Sequence, residues 1–281
     1  MNSKTLIIRS LSGLVYVAAI VLAVLFGEGT VTILALILSF FALYELEKMS
    51  AIKIDGFNDK MANGIDIAAT FSLIAMPVLG VYSVILWVIF VMSRFIWQLY
   101  SPSPTPFKSI AFSVFSQVYI GIPMLCFIIL SMLSALQPLQ LIALLSLIWI
   151  NDTGAFLVGC TIGKHRLFPK HSPKKSWEGF IGGMAFNMIA GFIFGFLCFD
   201  SFFEIHGPNI LLWILAGIIV TVFATWGDLF ESMLKRSVGV KDSGKIIPGH
   251  GGILDRIDSL LAVMPTILIY IYITSFFTSP F

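Results

Sequence analysis

Long apolar runs separated by short polar segments make up most of the chain. A helix needs about 20 apolar residues to cross a hydrocarbon core of about 30 Å, and several runs reach or approach that length. They lie near residues 10–26, 30–46, 66–80, 82–100, 110–134, 139–160, 179–199, 209–228 and 259–278. The pattern therefore predicts about nine transmembrane helices. Pro77 and Gly80 mark either a tight turn or a kink between the third and fourth runs.

Composition agrees with a location in the membrane. Of the 281 residues, 58% are hydrophobic and only 11% are charged. A soluble domain of this length needs far more charged surface. We therefore expect an all-α, polytopic integral membrane protein.

Basic residues fall in five clusters, and these clusters predict the orientation in the membrane. They lie at 4–9, 48–60, 94–108, 164–175 and 235–256, and together they hold all 17 Lys and Arg residues. Lys and Arg collect on cytoplasmic loops. With the N-terminus inside, nine spans place every cluster on the cytoplasmic face. The expected orientation is N-in and C-out, because one span more or fewer would move large basic clusters to the opposite face.

The two halves of the sequence differ in polar content. Residues 1–138 are expected to form N-terminal transmembrane helices, and nothing in them indicates chemistry. Residues 139–281 are expected to form a catalytic transmembrane region with cytoplasmic loops, because polar groups crowd the inner ends of its spans. Cys126, Cys160 and Cys198 lie singly in apolar runs, which argues against a zinc site or a disulfide framework.

Acidic residues at the end of one span and the start of the next indicate a metal site. Residues spaced i, i+3, i+4 and i+7 share one helix face. Four polar residues have this spacing, namely Asp228, Glu231, Ser232 and Lys235, and Asp255 and Asp258 repeat the i, i+3 part of it. We expect Asp228 and Asp255 to converge on a divalent cation, and oxygen ligands without clustered Cys or His favour Mg²⁺. The alternative is that these charges meet water or lipid headgroups and only anchor the helices.

A glycine-rich segment, "KDSGKIIPGHGG" at 241–252, separates the two acidic helix ends. Its glycines permit close backbone approach, so its amides can face an anion, and Gly252 lies just before a helix N-terminus, where anions are stabilised. Lys241, Lys245 and Arg256 supply positive charge. His250 is either a donor to phosphate or a partner in a hydrogen bond within the loop. The segment matches neither a P-loop nor a dinucleotide motif, and a plain turn is the alternative.

A second basic segment, "HSPKKSWEG" at 171–179, starts another span on the same predicted face. Lys174 and Lys175 are adjacent, and Ser176 follows them. Such a segment can bind a lipid phosphate at the headgroup level or the triphosphate of a nucleotide. The alternative is a basic loop that serves only the orientation of the chain.

The run from Ser232 to Asp258 resembles the signature of the phosphatidate cytidylyltransferases, also called CDP-diacylglycerol synthases. It follows the form S-x-[apolar]-K-R-x4-K-D-x-G-x2-[apolar]-P-x-H-G-G-x2-D-R-x-D without departure. Two upstream segments, "NDTGA" at 151–155 and "SPKKSWE" at 172–178, are also similar to family motifs. The motifs cover 151–258, whereas residues 1–138 match only as apolar spans.

This resemblance implies an integral membrane enzyme that joins CTP and phosphatidic acid to give CDP-diacylglycerol and pyrophosphate. The expected cofactor is Mg²⁺, with a second cation left open. The resemblance also implies a homodimer, and nucleic acid is not an expected partner. For a bacterial source the expected location is the cytoplasmic (inner) membrane, with a multi-pass chain whose active site faces the cytoplasm.

The resemblance also implies roles for individual polar residues, carried over by position. The expected metal ligands are Asp228 and Asp255. The expected catalytic residues are Asp228, Asp255, Lys235, Arg236, Lys241 and Arg256. The expected substrate and phosphate contacts are Lys174, Lys175, Ser176, Ser232, His250, Gly251 and Gly252. The expected supporting residues around them are Asp152, Glu178, Glu231, Asp242 and Asp258.

Rival interpretations predict different patterns. A transporter for an anionic solute would place charges near the midplane of the membrane, with repeated halves, whereas here they lie at cytoplasmic ends and the halves differ. A CTP-dependent lipid kinase, such as one acting on polyprenol, shares the logic of the site but not the complete signature. A scaffold without chemistry leaves the acidic helix ends unexplained.

Overall fold

The computed structural model describes residues 3–52, 59–133, 138–197, 209–247 and 251–278. These ranges are almost entirely helical, as the apolar pattern predicts. The helices are α1 (Ser3–Leu25), α2 (Glu28–Ser50), α3 (Lys60–Ile74), α4 (Met76–Leu79), α5 (Val81–Tyr100), α6 (Pro106–Ser116), α7 (Ile122–Met132), α8 (Pro138–Ile162), α9 (Trp177–Leu197), α10 (Ile210–Ser237) and α11 (Leu254–Thr278). His250 lies outside the described residues.

Within the described ranges, seven helical stretches are long and apolar enough to cross a membrane. They lie at 28–50, 81–100, 106–132, 138–162, 177–197, 210–237 and 254–276, each on a predicted run. The prediction of a polytopic, helical membrane protein is confirmed. The count of nine is not, because the described apolar part of α1 spans only Ser12–Leu25 and α3 has 15 residues. The orientation stays a prediction.

The third and fourth apolar runs are separated by a break at Pro77 and Gly80. Pro77 lies in the first turn of α4, where its missing N–H costs nothing. Gly80 has φ of 57° and donates its N–H to the carbonyl of Met76 at 2.9 Å. This left-handed conformation favours glycine, and it ends α4 so that α5 starts at once.

The fifth apolar run is one span with an irregular centre. A π-helical turn, Gln117–Gly121, joins α6 to α7. Pro123 explains this π-helical turn, because proline has no N–H to donate to the carbonyl one turn earlier. The backbone hydrogen bonds around it therefore change partners. The Gln117 side chain accepts a hydrogen bond from Trp87 Nε1 at 2.8 Å, which ties the turn to α5.

A short hairpin between α8 and α9 departs from the all-α expectation. Strands β1 (Arg166–Phe168) and β2 (Ser172–Ser176) are antiparallel, with Arg166 opposite Ser176 and Phe168 opposite Ser172. The hairpin occupies the predicted basic segment, so its alternation of side chains orients the adjacent lysines.

Packing divides the chain into two compact units. The first contains 1–129 and 234–257, and the second contains 130–233 and 258–281. The sequence predicted a division into 1–138 and 139–281. That division stays a prediction. In the structure, residues 234–257, which carry most of the signature, pack with the N-terminal helices.

A buried ion pair holds part of the first unit. Arg94 Nε lies 3.3 Å from Asp66 Oδ1, and the side chains are 1% and 3% exposed. The guanidinium also donates to Gln98 Oε1 at 2.8 Å and to Ser109 Oγ at 2.6 Å. Charged groups inside apolar helices need partners of this kind, so the network connects α3, α5 and α6.

Small residues let the helices of the second unit approach closely. A Cβ on Gly191 of α9 would lie 2.6 Å from the Trp213 carbonyl oxygen of α10. A Cβ on Gly217 of α10 would lie 2.6 Å from the Asn187 carbonyl oxygen of α9. The buried Asn187 amide donates to Thr221 Oγ1 at 2.9 Å across the same contact. The close packing of α9 on α10 therefore depends on glycine on both helices.

Candidate functional site

The second unit contains a cavity of about 580 Å³ along the C-terminal half of α8. It is lined by the end of α8, the hairpin, the start of α9 and the end of α10. Five of the predicted site residues contribute to its lining, namely Asp152, Lys174, Lys175, Ser176 and Asp228. Arg166 and the buried Asn151 also line it. The cavity therefore combines positive and negative groups that are far apart in sequence.

Lys175 forms the central ion pair of this cavity. Its Nζ lies 2.7 Å from Asp228 Oδ2 and 3.3 Å from the Thr225 carbonyl oxygen. Ser232 Oγ donates to Asp228 Oδ1 at 3.3 Å, one helical turn along α10. Both oxygens of Asp228 therefore have partners, and the i, i+4 contact predicted for Asp228 and Ser232 is present.

The hairpin is fixed to α9 by Glu178 and Ser176. Glu178 accepts hydrogen bonds from the backbone N–H of Lys164 at 3.1 Å and of His165 at 3.2 Å. His165 Nδ1 lies 2.6 Å from the same carboxylate. Ser176 Oγ accepts from the Gly179 N–H at 3.2 Å and caps the start of α9. The two residues hold Lys174 and Lys175 at the mouth of the cavity.

Further carboxylates lie near Asp228 in the second unit. Asp258 is 9% exposed and Glu231 is fully buried. Asp258 experiences the charges of Asp228, Glu231 and Asp152, and its Oδ1 accepts from the Ser259 N–H at 2.6 Å. Neighbouring buried carboxylates repel one another unless a proton or a cation compensates them.

The carboxylate oxygens of Asp228, Glu231 and Asp258 are the ligand type that Mg²⁺ prefers, so these residues fit the cation chemically. Across the parts of the chain that the structure describes, no three His, Cys, Asp or Glu side chains form a group that could hold a metal ion. A cation here would therefore draw its remaining ligands from water or substrate oxygens, as Mg²⁺ commonly does.

The first unit carries the second predicted metal ligand, Asp255, in the first turn of α11. Its Oδ1 accepts from Lys235 Nζ at 2.5 Å, and the two side chains are 9% and 10% exposed. Its Oδ2 accepts from the Gly252 N–H at 2.8 Å, the Ser243 N–H at 2.9 Å and Ser243 Oγ at 2.9 Å. Gly251 has φ of 89°, a conformation that favours glycine and presents the next amide to Asp255. Asp255 therefore brings Ser243 and Gly252 together around its carboxylate.

Other predicted residues of the first unit lie at its surface. Arg236 Nη1 donates to the Val240 carbonyl at 3.0 Å, closing the end of α10. Lys241, Asp242 and Arg256 are exposed. The exposed side chains are accessible to a phosphate from solution or from a headgroup.

Comparison with known proteins identifies the family of this chain. The model of the cytidylyltransferase family matches residues 7–274. The chain belongs to the cytidylyltransferase family. A phosphatidate cytidylyltransferase of Staphylococcus haemolyticus (strain JCSC1435) is 34% identical over 269 residues, which cover 92% of this chain and 96% of that protein. Proteins of the same name from Staphylococcus aureus (strain COL) and Staphylococcus epidermidis (strain ATCC 12228 / FDA PCI 1200) are 36% and 33% identical, with the same coverage of both chains.

The recognition of this family from the signature is therefore confirmed, and the match extends well beyond the signature. It includes the N-terminal helices, which resembled the family only as apolar spans. The prediction that Asp228 and Asp255 share a cation stays a prediction. In the structure each carboxylate is paired with a lysine of its own unit.

Two residues of this family member were missed by reasoning from the sequence. Arg166 lies in the basic cluster at 164–175 but outside the motifs that resemble the family, and only the hairpin brings it to the cavity. Glu45 lies in an apolar span of the N-terminal region, yet its carboxylate contacts the glycine-rich segment. The cost of an ionised group in an apolar helix was the signal that could have identified Glu45.

Proposed function

We propose that the protein transfers a cytidylyl group from CTP to phosphatidic acid, giving CDP-diacylglycerol and pyrophosphate. The observation that carries this proposal is the cavity in which Lys175, Lys174 and Arg166 lie with Asp228. Both substrates present phosphates, and such a group of cations can neutralise them. The relatives named phosphatidate cytidylyltransferase support the choice of reaction.

The reaction needs no nucleophile from the protein. The phosphate monoester of phosphatidic acid has a second pKa near 6, so it is largely dianionic at neutral pH. One of its oxygens forms a bond to the α-phosphorus of CTP. The bond from that phosphorus to the oxygen bridging to the β-phosphate breaks, and pyrophosphate leaves with the electron pair.

The role of the protein in this scheme is to position the substrates and to stabilise charge. Several negative groups meet at one phosphorus, which calls for fixed cations around them. Lys174, Lys175 and Arg166 would bind phosphates in the cavity. Lys241 and Arg256, which are exposed, would receive phosphates from solution or from the headgroup plane.

We propose Mg²⁺ as the cofactor, with Asp228 and Asp255 as its protein ligands and a second cation left open. When bound, the cation would neutralise charge on the phosphates and on the leaving pyrophosphate. The lysine beside each carboxylate would then contact a substrate phosphate. Glu231 and Asp258, whose carboxyl groups interact electrostatically near Asp228, would support the site.

We further propose nine spans with the N-terminus inside, so that the basic loops and the active site face the cytoplasm of a bacterial inner membrane, and a homodimeric assembly. Orientation is tested by introducing single cysteines into a cysteine-free background and labelling intact cells with an impermeant maleimide. Cysteine at Gly29, in the first turn of α2, should be labelled from outside. Cysteine at Lys170 should be labelled only after the cells are opened, and the reverse result would reject the orientation.

The deciding experiment measures conversion of labelled CTP and phosphatidic acid to CDP-diacylglycerol by purified protein in detergent. It is run with and without Mg²⁺ on the wild type, Asp255→Asn, Asp228→Asn and, as a matched loss of charge far from the site, Glu28→Gln. Metal-dependent product that is lost in both aspartate variants and kept in Glu28→Gln supports the proposal.

Two other outcomes would redirect the assignment. Protein that binds CTP but forms no liponucleotide would transfer its group to another acceptor, as the lipid kinase alternative requires. Protein that does not bind CTP would favour the transporter alternative.

A further inference from the structure

Glu45 of α2 is a buried carboxylate that contacts two backbone N–H donors and one hydroxyl group, all from the other end of the sequence. It is 1% exposed. Its Oε1 accepts from the Ile253 N–H at 3.1 Å, and its Oε2 accepts from the Leu254 N–H at 2.9 Å. The Ser243 hydroxyl lies 3.0 Å from the same Oε2. All of these residues belong to the first unit.

Two of the groups that contact Glu45 are backbone N–H groups at the start of a helix. The first amides of a helix have no partner within it, and α11 begins at Leu254. Glu45 therefore caps α11 from a distant helix, and its negative charge is favourable at the positive end of the helix dipole. Such donors offset part of the hydration that a buried carboxylate loses.

Two glycines of the signature leave room for this carboxylate. A Cβ on Gly244 or on Gly252 would overlap the carboxylate oxygens of Glu45. Gly244 has no left-handed φ that would itself demand glycine. The space taken by Glu45 is therefore the structural reason for glycine at Gly244.

Ser243 links Glu45 to Asp255. Its hydroxyl lies 3.0 Å from Glu45 Oε2 and 2.9 Å from Asp255 Oδ2. The Ser243 N–H and the Gly252 N–H, on the two sides of the segment, both donate to Asp255 as well. Any movement of Glu45 would thus shift the donors that orient Asp255.

We infer that Glu45 is a positioning residue of the active site, which holds Ser243 and the start of α11 and, through Ser243, the orientation of Asp255. The N-terminal helices would then take part in building the site and not only in anchoring it. The inference rests on the proposed function for its activity readout, because Asp255 matters there as a ligand of Mg²⁺.

Glu45→Gln tests the inference, with Glu28→Gln on the same helix as the matched control. The glutamine –NH₂ would face a backbone N–H, so one bond becomes a repulsion. We expect kcat to fall about 10- to 100-fold, as is typical when a partner of a metal ligand is removed, and the half-saturating Mg²⁺ concentration to rise. A mere loss of folded protein would lower the rate but leave that concentration unchanged. Wild-type kinetics in Glu45→Gln would overturn the inference.

Hydrogen exchange gives a readout that does not require turnover. In Glu45→Gln the amides of Ile253 and Leu254 should exchange faster, whereas Glu28→Gln should match the wild type. If the wild type forms no CDP-diacylglycerol, the proposed function fails while this measurement still decides the role of Glu45. Unchanged exchange in Glu45→Gln would reject it.

The fit of Gly244 provides a steric test. Gly244→Ala should reduce activity in the wild type, because the new methyl group collides with Glu45. In the Glu45→Ala background the carboxylate is gone, so Gly244→Ala should cause no further loss. An equal loss in both backgrounds would contradict the inference. Should Glu45→Ala not fold, Ser243→Ala decides, since it must raise the half-saturating Mg²⁺ concentration while leaving exchange at Leu254 slow.

Discussion

Lys175 Nζ lies 2.7 Å from Asp228 Oδ2, which joins the second strand of the hairpin to the C-terminal half of α10. The two side chains are 26% and 37% exposed, so water screens the pair. Exposed ion pairs contribute about 0–1 kcal/mol to stability. The pair therefore matters for the chemistry of the cavity more than for the fold.

Replacing Lys175 by methionine should separate these two effects. We expect CDP-diacylglycerol formation to fall about 100-fold or more, as when a fixed donor to a developing charge is removed. The apparent melting temperature should change little, because the pair is partly exposed. Lys170→Met, in the turn of the same hairpin, is the control and should keep activity. A large loss of stability in Lys175→Met with normal specific activity would show that the pair is structural.

Lys235 and Asp255 form the opposite case, because both side chains are about nine-tenths buried. Removing one partner of a buried pair leaves an uncompensated charge, which costs about 3–5 kcal/mol. Lys235→Met should therefore lower the apparent melting temperature in detergent strongly. Arg236→Met should lower it much less, since Arg236 is exposed and contacts only a backbone carbonyl in the described contacts.

The double variant Lys235→Met/Asp255→Asn checks the cause of that loss. It should recover part of the stability, because no charge remains buried, yet it should form no product. Additive losses of stability in the double variant would rule out the ion pair as the origin of the effect.

The same residues show which parts of the fold and of the candidate site the sequence predicts. Apolar length located every long helix, because a membrane imposes one simple requirement on all of them. The i, i+4 spacing placed Ser232 against Asp228, because helix geometry is local. Lys175 and Asp228 belong to different elements, so their pairing depends on tertiary structure that spacing does not encode.

The contacts of Glu45 are a part of the structure that the sequence does not predict. Nothing in the sequence of the N-terminal region indicates chemistry, because no motif surrounds this residue. Its partners lie about 200 residues further along the chain, at Ser243, Ile253 and Leu254. The glycines at 244 and 252 were interpreted as room for a bound anion. In the structure their free sides face a carboxylate of the protein itself.

Glycine at the contact between α9 and α10 should be essential for stability. A methyl group on Gly191 would lie 2.6 Å from the Trp213 carbonyl oxygen and 2.9 Å from Ile214 Cα. Backbone atoms cannot yield as a side chain does, so Gly191→Ala should cost about 1–3 kcal/mol. Gly64→Ala is the matched control, because nothing lies within 4 Å of its Cβ position.

In α3 the Gly64→Ala change should stabilise the helix by up to about 1 kcal/mol, through the higher helix propensity of alanine. The stability of both variants is measured by heating each protein and determining the fraction that remains monodisperse. Equal stability of the two variants would mean that the α9–α10 contact tolerates a wider spacing than the structure has.

The pair of Arg94 and Asp66 should be needed for the fold of the first unit and not for chemistry. Arg94→Met leaves the buried Asp66 carboxylate without its cation, so we expect a loss of about 3–5 kcal/mol. Lys108→Met, which changes an exposed residue at the start of α6, should have almost no effect.

Arg94→Met/Asp66→Asn removes both charges, and its stability should exceed that of Arg94→Met alone. Specific activity per folded molecule should stay near the wild-type value in the double variant, because neither side chain contacts Asp255 or the glycine-rich segment in the described hydrogen bonds. A double variant that folds well but has lost turnover would assign this network to the active site.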